Sequence, residues 1–266
     1  MKKHKTFMAI CAAGCLIMMS CSKSGPTGAT GPSGGNGPAG PALTGTVTGY
    51  VDLYDQYGDL LSPGNGVKIT IPTMASVNDT TIVDGMYTIP GLSTGVYEID
   101  FSKTNYGSTK INSFGFTGGG TQYIAAHMQM TQPPIFTLAT TSALTATSNT
   151  VSSQVAMAVT MAATDTKMRK VAVFYSNAAT VSSTPGNYMG WSAITIPANT
   201  TTANMNLSSS ATFYPSGLSS GTTAYFIVYP ISYNTGASTY PDPATGKTVF
   251  NNLNTASSFT ATAVIP

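Results

Sequence analysis

The stretch VDGMYTIPGLSTGVYEIDF, residues 83–101, contains the signals that decide the fold class of this chain. Asp84-Gly85 stands between two short apolar runs, which is typical of a β-hairpin because the turn needs positive φ. Pro90-Gly91 and Thr94-Gly95 are further turn signals. The run that follows them predicts a strand over 96–101.

Residues on both sides of this stretch repeat the same two-residue period. The alternating apolar positions are Val47, Val51 and Leu53, and then Val67, Ile69 and Ile71. Alternation of this kind puts one face of a strand into a core. A turn is predicted between the two groups at 55–58, and no helical period is visible. We therefore predict an all-β unit over residues 43–130.

A series of short motifs runs through this unit. The motifs are Gly45-Thr46-Val47, Asp55-x-x-Gly58, Gly66-Val67-x-Ile69, Asp84-Gly85-Met86-Tyr87-Thr88-Ile89, Gly91-Leu92, Gly95-x-Tyr97 and Asn105-Tyr106-Gly107. Together they resemble the carboxypeptidase regulatory-like domain. The resemblance implies a small transthyretin-like (prealbumin-like) β-sandwich with a modular role and no catalytic residues. Fold membership alone does not set a function.

The remaining chain, residues 131–266, predicts a second β-sandwich. Pro133-Pro134 marks a linker, because each proline restricts its own backbone and that of the residue before it. Alternating apolar residues follow in three groups: Val155, Met157, Val159 and Met161; Val171, Val173 and Tyr175; Ala224, Phe226 and Val228. Residues 151–163 also contain helix-compatible spacing, but the β-branched residues around them favour a strand.

Two stretches of this second unit resemble a fibronectin type III or related immunoglobulin-like domain. Residues 170–175 are similar to its third strand, and residues 218–223 are similar to the turn before its sixth strand. Ala224 stands in the place of the family's corner tyrosine, unless Tyr225 serves after a shift of one residue. The single tryptophan, Trp191, lies outside the expected second strand. The resemblance implies a sandwich of two sheets.

The N-terminus has the pattern of a secretory signal. Residues 2–5 are Lys-Lys-His-Lys, and residues 7–19 are apolar or small, a run too short to span a bilayer as a helix. Met18-Met19-Ser20-Cys21 resembles a bacterial lipobox, which implies removal of residues 1–20 and acylation of Cys21, with Cys15 as a competing site. Because two or more acyl chains anchor a protein durably, Cys21 is predicted to attach the chain to a membrane.

Glycine recurs at every third position from Gly25 to Gly40. This is the collagen pattern, in which only glycine fits the crowded axis of three chains. The tract is short and no coiled-coil pattern flanks it, so residues 21–42 are predicted to form a disordered, collagen-like Gly/Pro-rich spacer that carries a monomeric ectodomain. A trimeric collagen-like stalk is the alternative.

The composition argues against several classes of function. The net charge of the chain is +2, but three of its eleven basic residues lie in residues 1–20, which leaves eight against nine acids. No basic footprint for a nucleic acid remains. The three cysteines, Cys11, Cys15 and Cys21, all belong to the signal or the anchor. No disulfide, zinc site or thiol chemistry is therefore predicted.

No catalytic, cofactor-binding or metal-binding residue is predicted. His127 is the only histidine after the signal, it lies in a predicted strand over 123–130, and no Gly-x-Ser-x-Gly motif accompanies it. Asp52, Asp55 and Asp59 surround a turn and could be imagined as calcium ligands, although aspartate is also a common turn former.

Glycosidase chemistry needs two carboxylates that flank the scissile bond. The pair in this sequence does not indicate that chemistry. Glu98 and Asp100 alternate with apolar residues along one predicted strand. They share its polar face, where we expect solvent to reach both.

Aromatic residues in or near loops of the second unit are the remaining candidates for ligand contact. They are Tyr188, Trp191, Tyr214, Tyr233 and Tyr240. Exposed aromatic rings stack on sugars or anchor protein partners. The alternative is that these residues fold back on the sandwich.

These observations predict a non-enzymatic lipoprotein of a Gram-negative cell envelope that displays β-sandwich modules for binding or adhesion to a glycan or a protein. Ser22 follows the predicted anchor, where an aspartate would be associated with the inner membrane, so the outer membrane is favoured. Either leaflet is open, surface exposure included. The alternatives are an accessory carbohydrate-capture lipoprotein and the trimeric stalk.

Overall fold

The alternation of apolar residues produces an all-β protein, as predicted. The computed structural model describes residues 28, 29, 31, 43–61, 64–74 and 76–266. The predicted signal peptide, Cys21 and most of the Gly-X-Y tract lie outside these residues. Helical turns are short among them, a π turn at Ser209–Phe213 and a 3-10 turn at Tyr214–Ser216. No helix in the described part of the chain has the length and apolarity to cross a bilayer.

The described residues of the first module form nine strands. They are β1 (Thr44–Tyr54), β2 (Leu60–Leu61), β3 (Lys68–Thr70), β4 (Asn78–Thr80), β5 (Met86–Ser93), β6 (Gly95–Ser102), β7 (Thr109–Phe116), β8 (Thr121–Tyr123) and β9 (Met128–Thr131). One sheet is centred on β1, which pairs with β2 and β5 and, in parallel, with β8 and β9. The other sheet has the order β4-β3-β6-β7.

The core of the first module lies between these two sheets. Val47, Val51 and Leu53 point inward from β1, and Ile69 and Phe101 meet them from the opposite sheet. Each such side chain, once fully buried, contributes about 1.5–3 kcal/mol to folding. The predicted alternation over both segments is thus confirmed.

The predicted hairpin at Asp84-Gly85 is wrong, although the turn itself exists. Gly85 has a φ of +76°, and its N–H donates to the carbonyl of Ile82 at 2.9 Å. The strands on either side belong to different sheets, since β4 pairs with β3 whereas β5 pairs with β1. The turn therefore carries the chain across the sandwich, a choice that local turn chemistry does not determine.

Pro90-Gly91 is also not a turn between strands, as the sequence had suggested. Strand β5 runs through it, and the pairing register with β1 shifts between Gly45 and Val47. Gly91 has a φ of +72°. This is a β-bulge, which accommodates a proline without donor and a glycine in the left-handed region inside one strand.

The predicted strand over 123–130 is interrupted. Strand β8 ends at Tyr123, strand β9 begins at Met128, and the residues between them include a bend at Ala126. Both strands pair with β1 in parallel, one after the other along its length. His127 therefore lies in the connection and not within a strand.

The second module also contains nine strands. They are β10 (Leu144–Asn149), β11 (Gln154–Thr160), β12 (Arg169–Ser176), β13 (Gly190–Ile196), β14 (Thr202–Ser208), β15 (Thr223–Ile231), β16 (Thr239–Pro241), β17 (Thr248–Phe250) and β18 (Phe259–Val264). Its two sheets have the orders β10-β11-β14 and β13-β12-β15-β18, with β16-β17 as a separate hairpin. The segments predicted as third and sixth strands are β12 and β15, and these two pair with each other. The helical alternative for residues 151–163 is wrong, because β11 occupies most of that segment.

Strands β12 and β15 are buried on both faces. Val173 and Phe226 belong to the core between the two sheets. Phe174 and Tyr229 point the opposite way, into a second apolar cluster that also contains Phe250 of the β16–β17 hairpin. A sheet covered on both sides explains why these two strands show nearly continuous runs of apolar residues.

The two modules pack together through the loop that follows β15. Ser238 is fully buried there and has a φ of +54°, which is unusual for a residue other than glycine. Its hydroxyl donates to the carbonyl of Gly107 at 2.7 Å and accepts the N–H of Thr131 at 2.9 Å. Its own N–H donates to the carbonyl of Gln129 at 2.9 Å. Strands β1 to β18 all belong to one compact unit.

Candidate functional site

The turn after β1 carries residues of the first module onto the second. One carboxylate oxygen of Asp55 accepts the N–H groups of Tyr57 and Asp59, at 2.8 and 2.9 Å. Gly58 has a φ of +87°, and a side chain there would press on the ring of Tyr233. Aspartate and glycine at these positions are the residues that a tight turn requires. The turn predicted at 55–58 is confirmed.

Hydrogen bonds attach this turn to the second module. The hydroxyl of Tyr57 donates to Oδ2 of Asp165 at 2.7 Å. The backbone N–H of Tyr233 donates to the carbonyl of Gln56 at 3.0 Å, and the N–H of Ile135 donates to the Gln56 side chain at 2.8 Å. These directional hydrogen bonds therefore fix the position of the turn relative to the second module.

The ammonium of Lys167, and not a metal ion, is the cation that the structure places beside the aspartates of this turn. Its ammonium lies 2.5 Å from Oδ2 of Asp59 and 3.7 Å from Oδ2 of Asp55, and it stands 4.9 Å from the centre of the Tyr57 ring. Asp52 faces His127 instead. The three aspartates considered as calcium ligands therefore do not converge, and the described residues contain no cluster of three metal-ligating side chains.

The contacts in this cluster shift the pKa values of three of its groups. Hydrogen bonds, chiefly from the backbone N–H of Lys167 and also from Tyr57, hold the pKa of Asp165 below its usual value. Burial, followed by the bond to Asp165, raises the pKa of Tyr57. The bond to Asp59 raises the pKa of Lys167. These shifts favour an ionised Asp165, a charged Lys167 and a neutral Tyr57 phenol at neutral pH.

A cleft of about 480 Å³ opens between the turn and the second module. This volume lies in the range of small-molecule sites. The lining residues are Tyr57, Gly58, Asp59, Thr166, Lys167, Met168, Ala198 and Tyr233. The ammonium of Lys170 stands 4.3 Å from the centre of the Tyr233 ring and restrains it. The cleft thus combines two phenol rings, a thioether and one carboxylate–ammonium pair.

The structure separates the aromatic residues that the sequence grouped as ligand contacts. Tyr233 lines the cleft. Tyr240 stands in the contact between the modules, with the ammonium of Lys110 5.0 Å from its ring centre. Tyr214, 44% exposed, lies in the 3-10 turn of the second module.

Tyr188 and Trp191 fold back on the sandwich, which is the alternative considered for them. Tyr188 is 3% exposed, and its hydroxyl donates to the carbonyl of Thr248 at 2.8 Å. Trp191 packs edge-on against Phe250 with ring centres 4.8 Å apart. Tyr188 therefore cannot meet a ligand at the surface, because an apolar layer and a satisfied hydroxyl hold it in the interior.

His127 and Asp52 form a pair on the outer face of the first module. Nδ1 of His127 lies 3.0 and 3.1 Å from the two carboxylate oxygens of Asp52, and the imidazole stacks on Tyr50 with ring centres 5.0 Å apart. This resembles two members of a hydrolytic triad. Among the described residues, no hydroxyl is hydrogen-bonded to the other ring nitrogen.

Glu98 and Asp100 are less solvated than expected. Glu98 pairs with Lys110 at 3.1 Å, and Oδ1 of Asp100 is buried and has no hydrogen-bond partner among the described residues. Burial, followed by the charge of Glu98, raises the pKa of Asp100. The β16–β17 hairpin packs beside this strand face, with Asn112 donating to the carbonyl of Pro241 at 2.5 Å.

Sequence reasoning missed most of the cleft. Tyr57, Lys167 and Met168 were not singled out, because nothing in their own neighbourhoods sets them apart. An aromatic residue inside a tight turn was the one available signal, at Tyr57. The partnership of residues more than a hundred positions apart arises only when the modules pack.

Fold and cleft together define an all-β protein of two packed β-sandwich modules with a polar and aromatic cleft at their junction. No protein-family model matches the chain, and no curated protein matches it either.

Similar solved structures were found at low TM-scores. A chain of a type II cohesin–X-dockerin complex from Acetivibrio cellulolyticus has a TM-score of 0.28 and 18% identity over 33% of this chain and 58% of that one. A DUF3823 family protein from Parabacteroides merdae has a TM-score of 0.27 and 11% identity over 80% of this chain and 98% of that one. A Bacteroides uniformis protein, provisionally described as carbohydrate-binding, has a TM-score of 0.27 and 12% identity over 82% and 99%. This chain thus spans little more than half of the cohesin–dockerin chain.

Proposed function

We propose that this protein is a non-enzymatic binding protein whose cleft between the two modules recognises a carbohydrate. The observation that carries the proposal is the convergence of Tyr57, Tyr233 and Met168 around one carboxylate–ammonium pair. A sugar offers apolar ring faces and many hydroxyls, so it suits a site with aromatic, thioether and charged hydrogen-bonding groups. The fixed walls reduce the entropy that is lost on binding.

The interactions of Asp59 in the cleft and of Asp165 beside it support binding over catalysis. Asp59 is engaged by Lys167, and Asp165 accepts the Tyr57 hydroxyl and a backbone N–H. A general acid needs a carboxyl that holds its proton near neutral pH. The interactions around Asp165 lower its pKa instead.

The sequence supports a membrane-anchored location for this binding activity. We propose that Cys21 is acylated, that residues 21–42 act as a spacer, and that the two modules belong to the outer membrane of a Gram-negative envelope. The carboxypeptidase regulatory-like and fibronectin type III resemblances fit modules that display a surface. Replacing Cys21→Ser should abolish labelling with a fatty acid and release the protein from the membrane fraction. Equal labelling of both proteins would contradict the anchor.

A glycan array tests the binding function. The wild-type full chain is expected to bind a limited set of glycans, and Tyr233→Ala and Lys167→Ala should each weaken that binding about tenfold or more, as loss of a central contact does. Tyr214→Ala is the matched control, because this tyrosine is half exposed and lies outside the cleft. The proposal fails if no glycan binds, or if the cleft variants bind as well as the control.

A further inference from the structure

The outer face of β1 presents a second row of aromatic and polar side chains. Val51 and Leu53 point into the core, so strand alternation places Tyr50, Asp52 and Tyr54 outward. None of these three is fully buried. The solvated face of a sheet is usually polar, and Tyr50 and Tyr54 add aromatic surface to this one.

Neighbouring strands extend this row. Register places Tyr123 of β8 beside Thr48, on the same face as Tyr50, and Tyr123 is 71% exposed. Register also places Gln129 of β9 beside Asp52. With His127 stacked on Tyr50, the row consists of Tyr123, Tyr50, His127, Asp52, Gln129 and Tyr54, and we call it the β1 strip.

The β1 strip is linked to the cleft through Asn234. The side chain of Gln129 donates to the Tyr54 hydroxyl at 3.5 Å and accepts from the side chain of Asn234 at 3.2 Å. Asn234 follows Tyr233, which lines the cleft. From the level of Thr48 to Tyr54 the strip covers about 20 Å, at roughly 3.3 Å per residue. A ligand that occupies the cleft can therefore extend along the strip only if it is a chain.

The acidic side chains of the strip and the cleft both have partners. Asp52 is paired with His127, and Asp59 is paired with Lys167. The β1 strip contains no lysine or arginine that would favour an anionic polymer, and the one further ammonium beside the cleft among the described residues, that of Lys170, lies over the Tyr233 ring. The middle of the strip is polar, at Asp52 and Gln129, whereas the centre of a protein interface is usually depleted of charge. Rings separated by fixed hydrogen-bonding groups suit an uncharged chain of sugars, whose units alternate apolar faces with hydroxyls.

We propose that the ligand is an extended, uncharged glycan chain that is held in the cleft at one end and lies along the β1 strip with the rest. This inference rests on the proposed carbohydrate function of the cleft and specifies its substrate class. The cleft supplies binding to a short glycan, and the strip supplies additional affinity that depends on chain length.

A ladder of uncharged linear oligosaccharides, disaccharide to octasaccharide, from the glycan that scores highest on the array, tests this with the full chain. Wild-type affinity should rise about tenfold from the disaccharide to the octasaccharide. Tyr123→Ala and His127→Ala should remove most of this gain, and Tyr214→Ala should retain it. Far-ultraviolet circular dichroism and Trp191 emission establish that each variant is folded.

A second measurement follows His127 directly. Its ring-proton resonance, identified by its absence in His127→Ala, should shift with the octasaccharide and stay in place with the disaccharide. Equal wild-type affinity along the ladder, or an unchanged gain in both strip variants, would overturn the extended chain and leave cleft binding intact. If no glycan binds at all, or if Tyr233→Ala has no effect, the carbohydrate function itself fails and the strip proposal fails with it.

Discussion

Two residues, Ser238 and Asp100, have unusual features that depend on how the chain packs around them. Ser238 adopts a positive φ because three hydrogen bonds from the first module satisfy its backbone N–H and its hydroxyl. Asp100 keeps a buried oxygen without a partner among the described residues. Neither feature has a local sequence signature, and both have consequences that can be measured.

We expect Asp100→Asn to stabilise the protein at pH 7. The pKa of Asp100 is raised in the folded state, so the folded protein binds this proton more tightly than the unfolded chain. Stability from this group is therefore fully present below the unfolded pKa and is lost as pH rises through the folded one. The gain at pH 7 should be under about 1 kcal/mol, since partial exposure screens the charge.

The measurement is thermal unfolding of wild type and Asp100→Asn from pH 7 down to about pH 3. The difference between them should shrink as the pH falls below the unfolded pKa. Asp84→Asn, on an exposed turn, is the control for the replacement of an aspartate by asparagine. A constant difference across this range would show that the substitution acts through packing and not through charge.

Gly107→Ala should destabilise the contact between the modules. A Cβ at this position would collide with the carbonyl oxygen of Asn251 and would lie 2.7 Å from Cβ of Ser238. Forcing extra atoms into a packed contact typically costs about 1–3 kcal/mol. Gly115→Ala is the matched control, because no heavy atom lies within 4 Å of its added Cβ. Equal melting temperatures of the two variants would contradict this account.

At the scale of elements, the sheet β13-β12-β15-β18 differs from an ordinary sandwich sheet because both of its faces are covered. Phe174 of β12 points away from the main core and meets Tyr188, Trp191, Tyr229 and Phe250. The aromatic layer therefore positions the β16–β17 hairpin, whose far side contacts the first module. A change in the packing of this layer is therefore expected to alter the contact between the two modules.

Phe174→Ala should reduce the free energy of unfolding by about 3–5 kcal/mol, as expected for removal of a fully buried phenylalanine. Trp191 is the only tryptophan, so its emission reports on this layer and should shift to longer wavelength as water enters. Val151→Ala, at a residue that is 98% exposed, serves as the control. Unchanged denaturation by urea in Phe174→Ala would mean that the layer contributes nothing to folding.

Strands with strong alternation were predicted correctly, whereas the pairing of strands across the turn at Asp84-Gly85 was not. The segments containing Val47–Leu53, Val155–Met161 and Lys170–Tyr175 are strands, because alternation is a property of each segment alone. The hairpin at Asp84-Gly85 was wrong, because a turn with positive φ forms equally well between sheets. Pro90-Gly91 was misinterpreted for a similar reason, since a bulge uses the same residues as a turn.

At the scale of the whole molecule, the two modules are expected to unfold together. Hydrogen bonds join the two modules, because Gln56 of the first and Ser238 of the second each bond to residues of the opposite module. Calorimetry should show a single transition, and Trp191 emission should coincide with far-ultraviolet circular dichroism. Gly107→Ala should broaden or split this transition. Two separate transitions in the wild type would mean that each module is stable alone.

The oligomeric state is a prediction from the Gly-X-Y tract. We expect sedimentation of the full chain in detergent to give a monomer. Nucleation of a triple helix is costly, and six triplets provide few stabilising contacts to offset that cost. Replacing the glycines Gly28, Gly31 and Gly34 by alanine should leave the mass unchanged. A trimer that dissociates on this replacement would instead establish the collagen-like stalk.

The sequence alone was sufficient for the all-β class, for most strands and for the scarcity of charge, because these depend on residue type and on a two-residue period. Cys21 as an anchor and Tyr233 as a ligand contact are also predictions from sequence, the first from a local motif and the second from an exposed aromatic in a loop. Only the tertiary structure brought Tyr57 and Lys167 to the same cleft, buried Tyr188, and aligned Tyr123 with Tyr50 along β1. The physical reason is that strand formation is decided by neighbours in the chain, whereas a site at a junction depends on which surfaces the whole chain buries against each other.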